Sequence, residues 1–258
     1  MDGRRLLVSD LDGTLLGDDA ALDRFRRWIR ANRASWLLAY ATGRTFESVD
    51  ELVGEGRLPG PDAVISSVGT VIHEPGGRPW PAWSIGADRW DGDKVHRTLR
   101  SAGLTPQPPE AQSPLKASYS APDLSDEMLD DIRRSLRAAG VAATVVYSSA
   151  RDLDVLPADA GKGLAVRHVA RTWGLSHDRV VACGDSGNDL DLLTSGFRGV
   201  VVANAQPELR RLSSPAVYHS TRAFADGVLD GVRHWTQAAA PALGRSEAAS
   251  LSRSRPTA

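Results

Sequence analysis

The feature that most constrains the fold is a short apolar segment that ends in a cluster of polar residues. Leu6, Leu7 and Val8 predict a buried β-strand, and Asp10 and Asp12 follow where that strand leaves its sheet. Open α/β sheets bind ligands beyond the carboxyl ends of their strands, so both carboxylates are expected to face a ligand crevice. Two carboxylates this close repel each other unless a cation lies between them, which predicts a divalent cation such as Mg²⁺.

The rest of this loop narrows the choice of metal. Gly13 permits a sharp turn after the two acids, and the Thr14 hydroxyl can hydrogen-bond back to hold the loop. A calcium-binding EF-hand would need glycine where Leu15 stands and glutamate where Ala21 stands, so the pattern argues against it. A solvated acidic turn with no metal remains the alternative interpretation.

Composition and charge exclude several classes of partner. The 258 residues are 41% hydrophobic and 24% charged with a formal net charge of -1, so nothing favours a nucleic-acid partner. No apolar run approaches membrane-spanning length, and the residues before the first strand leave no room for a secretory signal. A single cysteine, Cys183, cannot form an internal disulfide. We therefore expect a cytoplasmic protein with no membrane contact.

Strands alternate with helices over most of the chain, which predicts an α/β fold with a doubly wound, mostly parallel sheet. Proline and glycine between Pro75 and Pro81 mark an exit from this sheet, and the pattern resumes after Pro157. The segment between predicts an inserted α+β cap, with a strand hairpin and an amphipathic helix that Ser125 caps. We predict a discontinuous core domain over 1–80 and 158–237, a cap domain over 81–157 and a disordered tail over 238–258.

Two further segments place polar residues at the ends of predicted elements. The second strand runs into Thr42, Gly43 and Arg44, whose hydroxyl, flexible backbone and guanidinium suit an oxyanion. Lys162 stands at a predicted helix start, where it can hold a phosphoryl oxygen or remain a solvated lysine. The surrounding residues lack the spacing of a phosphate-binding P-loop, so the lysine does not belong to that motif.

A last segment repeats the pattern of a strand followed by acids. Val180 to Cys183 predicts a strand, and Asp185 and Asp189 follow it four residues apart. Both can point at the crevice of Asp10 and add oxygen ligands for magnesium. The sequence Gly-Asp-Ser-Gly at 184–187 also surrounds the nucleophile of trypsin-like serine proteases, but that class needs a different fold and an upstream histidine.

Taken together, these motifs resemble the four motifs of the haloacid dehalogenase superfamily of phosphatases, and the inserted segment is similar to the cap of its sugar-phosphatase branch. Softer matches narrow the resemblance to the sucrose-phosphate and mannosylfructose-phosphate phosphatases and extend it to about residue 235. These matches are Leu7–Asp10, Ala39–Arg44, Lys116–Tyr119, Ser148–Pro157 and Asn204–Leu209, with Asp226–Trp235 for the mannosylfructose-phosphate enzymes.

The resemblance implies a role for each acid. Asp10 is the expected nucleophile, which forms an aspartyl-phosphate, and Asp12 is the expected general acid and then general base. Mg²⁺ is expected to bind Asp10, the backbone carbonyl of Asp12, Asp185 and the phosphate. Asp189 is expected either to ligate the metal or to support Lys162.

The resemblance also implies two groups of substrate contacts. The expected contacts to phosphate come from the core loops: Thr42, Gly43, Arg44, Lys162, Ser186 and Asn188. Ser186 and Asn188 are expected either to orient the loop that binds the metal or to touch the substrate. The expected contacts to sugar are Gly69, Thr70, His73, Lys116, Tyr119 and Asp152. For His73 and Tyr119 packing is the alternative, as it is for three tryptophans near the cap entrance, Trp80, Trp83 and Trp90.

We therefore expect a Mg²⁺-dependent phosphatase that releases a disaccharide from its phosphate ester, with sucrose 6-phosphate as the substrate. The open alternatives are a mannosylfructose or glycosylglycerol phosphate, and a non-catalytic protein that binds a phosphosugar or a synthase. A disaccharide-phosphate synthase is the candidate protein partner. The sequence does not choose between sugars that differ at one hydroxyl, because one or two hydrogen bonds set that choice.

Overall fold

A computed structural model of the chain describes residues 3–80, 83, 85–86 and 89–237. The strands of this part are β1 (Arg5–Ser9), β2 (Trp36–Ala41), β3 (Ala63–Ser66), β4 (Val71–His73), β5 (Thr105–Pro106), β6 (Ala117–Ser120), β7 (Ala143–Ser148), β8 (Asp152–Pro157), β9 (Val180–Gly184), β10 (Arg198–Val201) and β11 (Val217–His219). The α-helices are α1 (Asp19–Asn32), α2 (Phe46–Gly54), α3 (Gly92–Ser101), α4 (Asp126–Ala138), α5 (Lys162–Thr172), α6 (Leu190–Leu193), α7 (Pro207–Arg210) and α8 (Phe224–Gln237). Within the described ranges, no helix has the length and apolar character that crossing a membrane requires.

The larger sheet has seven strands in the order β11-β10-β9-β1-β2-β3-β4, with β1 at its centre. One face packs against α1, α2, α7 and α8, and the other against α5 and α6. Its pairings are parallel except that between β3 and β4. Ser67 and Val68 adopt positive φ angles of 49° and 58°, which reverse the chain after β3. The predicted α/β fold with a doubly wound, mostly parallel sheet is confirmed.

Parallel pairing brings the polar loops together at one edge of this sheet. β1 is hydrogen-bonded to β2 on one side and to β9 on the other, so the residues after these three strands are neighbours. The backbone N–H of Asp10 donates to the carbonyl of Cys183 at 3.0 Å, and that of Thr42 donates to Ile65 at 2.9 Å. The register of the strands therefore fixes which side chains share the crevice.

The inserted segment forms a separate four-stranded antiparallel sheet in the order β5-β6-β8-β7, with α3 and α4 packed against it. α4 begins after Ser125, whose hydroxyl accepts the N–H of Met128 at 3.2 Å as the sequence predicts. β7 and β8 form the predicted hairpin. The domain limits at residues 80 and 157 stay predictions, and the tail over 238–258 lies outside the described residues.

Candidate active site

The candidate site is a cleft of about 1030 Å³ between the core sheet and the cap. This volume slightly exceeds the roughly 300–1,000 Å³ that ligand pockets span. Core loops and cap strands both line it, so a ligand in the cleft would touch the two parts of the molecule. The lining includes Asp10, Asp12, Gly43, Arg44, Lys116, Asp152, Asp154, Asp185, Ser186 and Asn188.

Lys162 connects the polar loops beneath the cleft. Its side chain is fully buried, and its Nζ donates to carboxylate oxygens of Asp10 and Asp189 and to the amide oxygen of Asn188, each at 2.7 Å. Burial lowers the pKa of Lys162, but the charges of Asp10 and Asp189 raise it by more, so the ammonium stays protonated. The lysine therefore fixes the orientation of the expected nucleophile.

A close backbone contact between Gly69 and Gly161 places Lys162 in this position. Lys162 is the first residue of α5, and the backbone before it passes against Gly69. Gly69 has a φ of +88°, and a Cβ there would lie 2.3 Å from the carbonyl carbon of Gly161. Only glycine lets the two segments approach this closely.

Three buried carboxylates form a cluster beside Lys162. Oxygen atoms of Asp10, Asp185 and Asp189 lie within 4.8 Å of one another. Burial raises the pKa of Asp10 well above its ordinary value against the lowering effect of Lys162, and burial together with the charge of Asp189 raises the pKa of Asp185 to about 7. When all three carboxylates are ionised, Lys162 compensates one of the negative charges, and a divalent cation would balance the other two. Hard oxygen donors of this kind suit Mg²⁺.

The loop after β1 holds Asp185, which follows the neighbouring strand β9. The Thr14 hydroxyl donates to Oδ1 of Asp185 at 2.8 Å, although the two residues are 171 positions apart. Gly13 has a φ of +83°, and a Cβ there would lie 2.4 Å from Oδ2 of Asp185. Gly13 and Thr14 thus hold the acid that follows the neighbouring strand as well as shaping their own turn.

Asp189 uses both carboxylate oxygens within the protein. Its Oδ1 accepts from Lys162 at 2.7 Å, and its Oδ2 accepts the backbone N–H groups of Asp185 at 3.0 Å and Ser186 at 3.3 Å. These bonds order the acidic loop, as we call residues 185–189. The geometry favours the interpretation of Asp189 as a support for Lys162, and direct metal ligation by Asp189 stays a prediction.

Asp12 lies in the cleft, apart from the three clustered acids. Its carboxylate forms a bidentate ion pair with Arg44, with both N–O distances at 2.7 Å, and its side chain is 57% exposed. Arg44 also donates to the Ser48 hydroxyl at 2.9 Å. The sequence suggested one cation shared between Asp10 and Asp12. In the structure Lys162 bonds to Asp10 and Arg44 pairs with Asp12, and a metal ion at these acids stays a prediction.

The loop after β2 brings Thr42 and Gly43 to the same place. Thr42 is buried, and its hydroxyl accepts the N–H of Arg44 at 3.2 Å. Gly43 lines the cleft, and its carbonyl accepts from the cap residue Lys116 at 3.1 Å. Ser186 and Asn188 line the cleft from the opposite loop. Their contacts to phosphate stay predictions.

Among the expected sugar contacts, two cap residues line the cleft. Lys116 is 5% exposed and lies 3.9 Å from Asp154, and burial lowers its pKa. Asp152 accepts from the Gln107 amide at 2.8 Å. Asp154 lies within the matched segment Ser148–Pro157, but neither it nor Gln107 is among the sugar contacts that the sequence predicts. The signal for Asp154 was its period-two spacing from Asp152, which puts both on one face of β8.

The other expected sugar contacts lie away from the cleft. Tyr119 is fully buried in the cap core with its hydroxyl 2.5 Å from Nδ1 of His96, so packing is its role in this structure. Gly69 and Thr70 are buried beneath the cleft, where Gly69 supports the Lys162 backbone. His73 packs on the Phe46 ring at 4.3 Å. The tryptophans also pack: Trp80 and Trp83 against the core, and Trp90 against the cap.

Comparisons with known proteins agree with this geometry. Residues 3–236 match the family model described as Sucrose-6F-phosphate phosphohydrolase. The chain is 38% identical to the mannosylfructose-phosphate phosphatase of Agrobacterium fabrum, over 90% of this chain and 96% of that protein. It is 34% identical to sucrose-phosphatase 1 of Nicotiana tabacum over 90% of this chain, and it spans 59% of that longer protein.

A solved structure shares the whole architecture. The sucrose-phosphatase of Synechocystis sp. PCC6803, solved in complex with sucrose and phosphate, superposes with a TM-score of 0.85 at 32% identity over 92% of this chain and 99% of that one. The fold, the site and the family match define a phosphoric monoester hydrolase of the haloacid dehalogenase superfamily, in agreement with 34% identity to a putative HAD-like hydrolase of Nitrosococcus oceani over 91% of this chain and 72% of that protein. Within that class, the chain belongs to the sucrose-6F-phosphate phosphohydrolase family, and it is a sugar phosphatase.

Proposed function

We propose that this chain hydrolyses a disaccharide phosphate, with sucrose 6-phosphate as substrate, in a Mg²⁺-dependent reaction through an aspartyl-phosphate on Asp10. The observation that carries the proposal is the position of Asp10 beneath a cleft large enough for a disaccharide, with Oδ1 held by Lys162 at 2.7 Å. The family match and the sucrose-bound relative support sucrose 6-phosphate as the substrate.

The residues divide the reaction between them. Lys162 holds Oδ1 of Asp10, which leaves Oδ2 to attack the phosphorus atom. The bond between phosphorus and the sugar oxygen breaks, and Asp12 donates the proton that this oxygen needs. Asp12 then removes a proton from the water that attacks the aspartyl-phosphate, which releases phosphate and restores Asp10. Thr42 and Gly43 are the proposed contacts to the phosphoryl oxygens, and Lys162 would join them by exchanging its bond to Asn188 for one to the phosphate.

The acidic cluster fits the metal that this chemistry uses. Asp10, Asp185 and the backbone carbonyl of Asp12 are the proposed ligands, because Asp10 and Asp185 are buried and offer hard oxygen donors, and Lys162 alone cannot balance the charge of three clustered carboxylates. When bound, Mg²⁺ neutralises charge on the phosphoryl group during transfer. Asp189 orders the acidic loop and keeps Lys162 in place.

A second substrate is favoured by a specific observation. The relative named mannosylfructose-phosphate phosphatase is 38% identical, against 34% for the tobacco sucrose-phosphatase, and this chain spans 96% of its length. Both names describe a phosphorylated disaccharide, so the cleft and the catalytic residues suit either. The enzyme that makes such a phosphate, a disaccharide-phosphate synthase, is the proposed partner class, and a cytoplasmic location is part of the same proposal.

A phosphate-release screen tests the proposal. Sucrose 6-phosphate, mannosylfructose phosphate, glucose 6-phosphate and nucleotides would be compared with and without Mg²⁺. We expect a disaccharide phosphate to be preferred, the rate to require Mg²⁺, and Asp10→Asn to lower kcat by at least about 1,000-fold. Asp23→Asn, at an exposed position of α1, is the matched control. Predominant hydrolysis of nucleotides, or full activity of Asp10→Asn, would contradict the proposal.

A further inference from the structure

Glu208 lies where the core, the cap and the acidic loop meet. It belongs to α7 and is partly buried, and its Oε1 accepts the backbone N–H of Ser149 at 3.0 Å and that of Gly187 at 3.1 Å. Ser149 is in the cap, in the turn between β7 and β8, whereas Gly187 is in the acidic loop of the core. One carboxylate oxygen therefore joins the cap to the loop that carries Asp185.

The cap side of this contact has an unusual backbone. Ser149 and Ala150 have positive φ angles of 55° and 49°, and the N–H of Arg151 closes the turn on Ser148 at 3.1 Å. Residues other than glycine adopt this region only at an energetic cost. Two such residues in a row are typical of a tight hairpin turn, and in this turn the Ser149 N–H points at Glu208.

The core side of the contact is equally specific. A Cβ at Gly187 would lie 2.3 Å from the carbonyl oxygen of Tyr147, so only glycine lets the end of β7 rest on the acidic loop. α7 is itself fixed to that loop, because the N–H of Gln206 donates to the backbone carbonyl of Asp185 at 2.7 Å. Glu208 thus stands on a segment that is bonded to a proposed metal ligand.

We propose that Glu208 is a positioning residue that couples the seating of the cap to the geometry of the acidic loop. When the turn between β7 and β8 rests on the core, Glu208 bonds to both Gly187 and Ser149. The acidic loop and the cap residues that line the cleft are then ordered together. The consequence is selectivity for phosphate esters whose alcohol portion reaches the cap. This inference rests on the proposed phosphatase activity.

The test compares one substrate that reaches the cap with one that does not. Glu208→Ala removes the acceptor, and we expect kcat/KM for sucrose 6-phosphate to fall by about tenfold more than that for p-nitrophenyl phosphate. Glu208→Gln keeps an acceptor oxygen but loses the charge, so we expect it to recover most of the difference and leave a deficit of about threefold. Glu55→Ala, an exposed glutamate after α2, is the matched control.

Two outcomes of this comparison would overturn the proposed role of Glu208. An equal loss with both substrates would make Glu208 a support of the acidic loop alone, and no loss with either would remove its role, so both results overturn the proposal. If Glu208→Ala does not fold, Glu208→Gln decides it, because an unchanged substrate ratio in that variant also overturns the proposal. A wild-type protein that hydrolyses p-nitrophenyl phosphate but no disaccharide phosphate would refute the proposed substrate. The Glu208 variants would then be compared on whichever larger phosphate ester the screen identifies.

Discussion

Asp10 and Asp12 are two residues apart in sequence, yet they are in very different surroundings. Asp10 is buried and bonded to Lys162, whereas the side chain of Asp12 is 57% exposed and paired with Arg44. A nucleophile needs a fixed carboxylate, and a proton donor needs access to the departing oxygen and to water. The two ion pairs therefore separate the roles that the family resemblance implies.

Arg44 offers a direct test of this separation. Its guanidinium holds both oxygens of Asp12, so we expect Arg44→Ala to lower kcat by about tenfold through lost positioning of this proposed general acid and base. Arg44→Lys should recover little, because an ammonium group cannot form the bidentate pair. Steady-state kcat with the preferred sugar phosphate is the measurement. Arg26→Ala breaks an exposed ion pair and serves as the control, and wild-type kcat in Arg44→Lys would refute the role.

At the scale of elements, the position of Lys162 depends on how two segments pack. The turn that contains Gly69 lies against the first residues of α5, and a side chain at Gly69 would collide with the backbone of Gly161. The helix start was predictable from its sequence, but its distance from the turn after β3 was not. The position of Lys162 at the start of α5 therefore depends on a backbone contact with Gly69, a residue that has no side chain.

We expect Gly69→Ala to displace Lys162 and to lower kcat by about 100-fold or more, because misplaced charge in a catalytic site is costly. Gly76→Ala is a matched control, since Gly76 has a similar φ of +81° and a Cβ there would meet nothing within 4 Å. Comparing the kcat and melting temperature of the two variants separates contact from backbone strain. Equal activity in both variants would show that the close approach at Gly69 has no catalytic consequence.

For the whole molecule, the sequence was sufficient to predict the features that depend on where each strand lies and where it ends. The fold class, the order of the loops and their meeting at one sheet edge follow from the alternation of strands and helices. The direction of a side chain within a loop does not follow from that pattern. Tyr119 turns into the cap core and Arg44 turns toward Asp12 because of neighbours that come from distant parts of the chain. Glu208 was part of a matched motif, but its role depends on where the cap comes to rest.

The acidic cluster links the stability of the whole core to pH and to metal. Asp185 has a pKa of about 7 in the folded metal-free protein, against 3.8 for an ordinary aspartate. Between these values the folded state binds more protons than the unfolded state, so the contribution of Asp185 to stability decreases as the pH rises through this range. Mg²⁺ requires the ionised carboxylate, so it should stabilise the protein more at the upper end of the range.

We therefore expect the melting temperature of the metal-free protein to be lower at about pH 8 than at about pH 5.5, by roughly 3 °C or more. Saturating Mg²⁺ should raise it by several degrees at the higher pH and by much less at the lower one, because protons compete with the metal for Asp185. Differential scanning calorimetry at both pH values, with and without Mg²⁺, measures the four midpoints. Asp185→Asn should reduce both the pH dependence and the Mg²⁺ effect. Equal stabilisation by Mg²⁺ at the two pH values would contradict a site in which Asp185 must ionise to bind the metal.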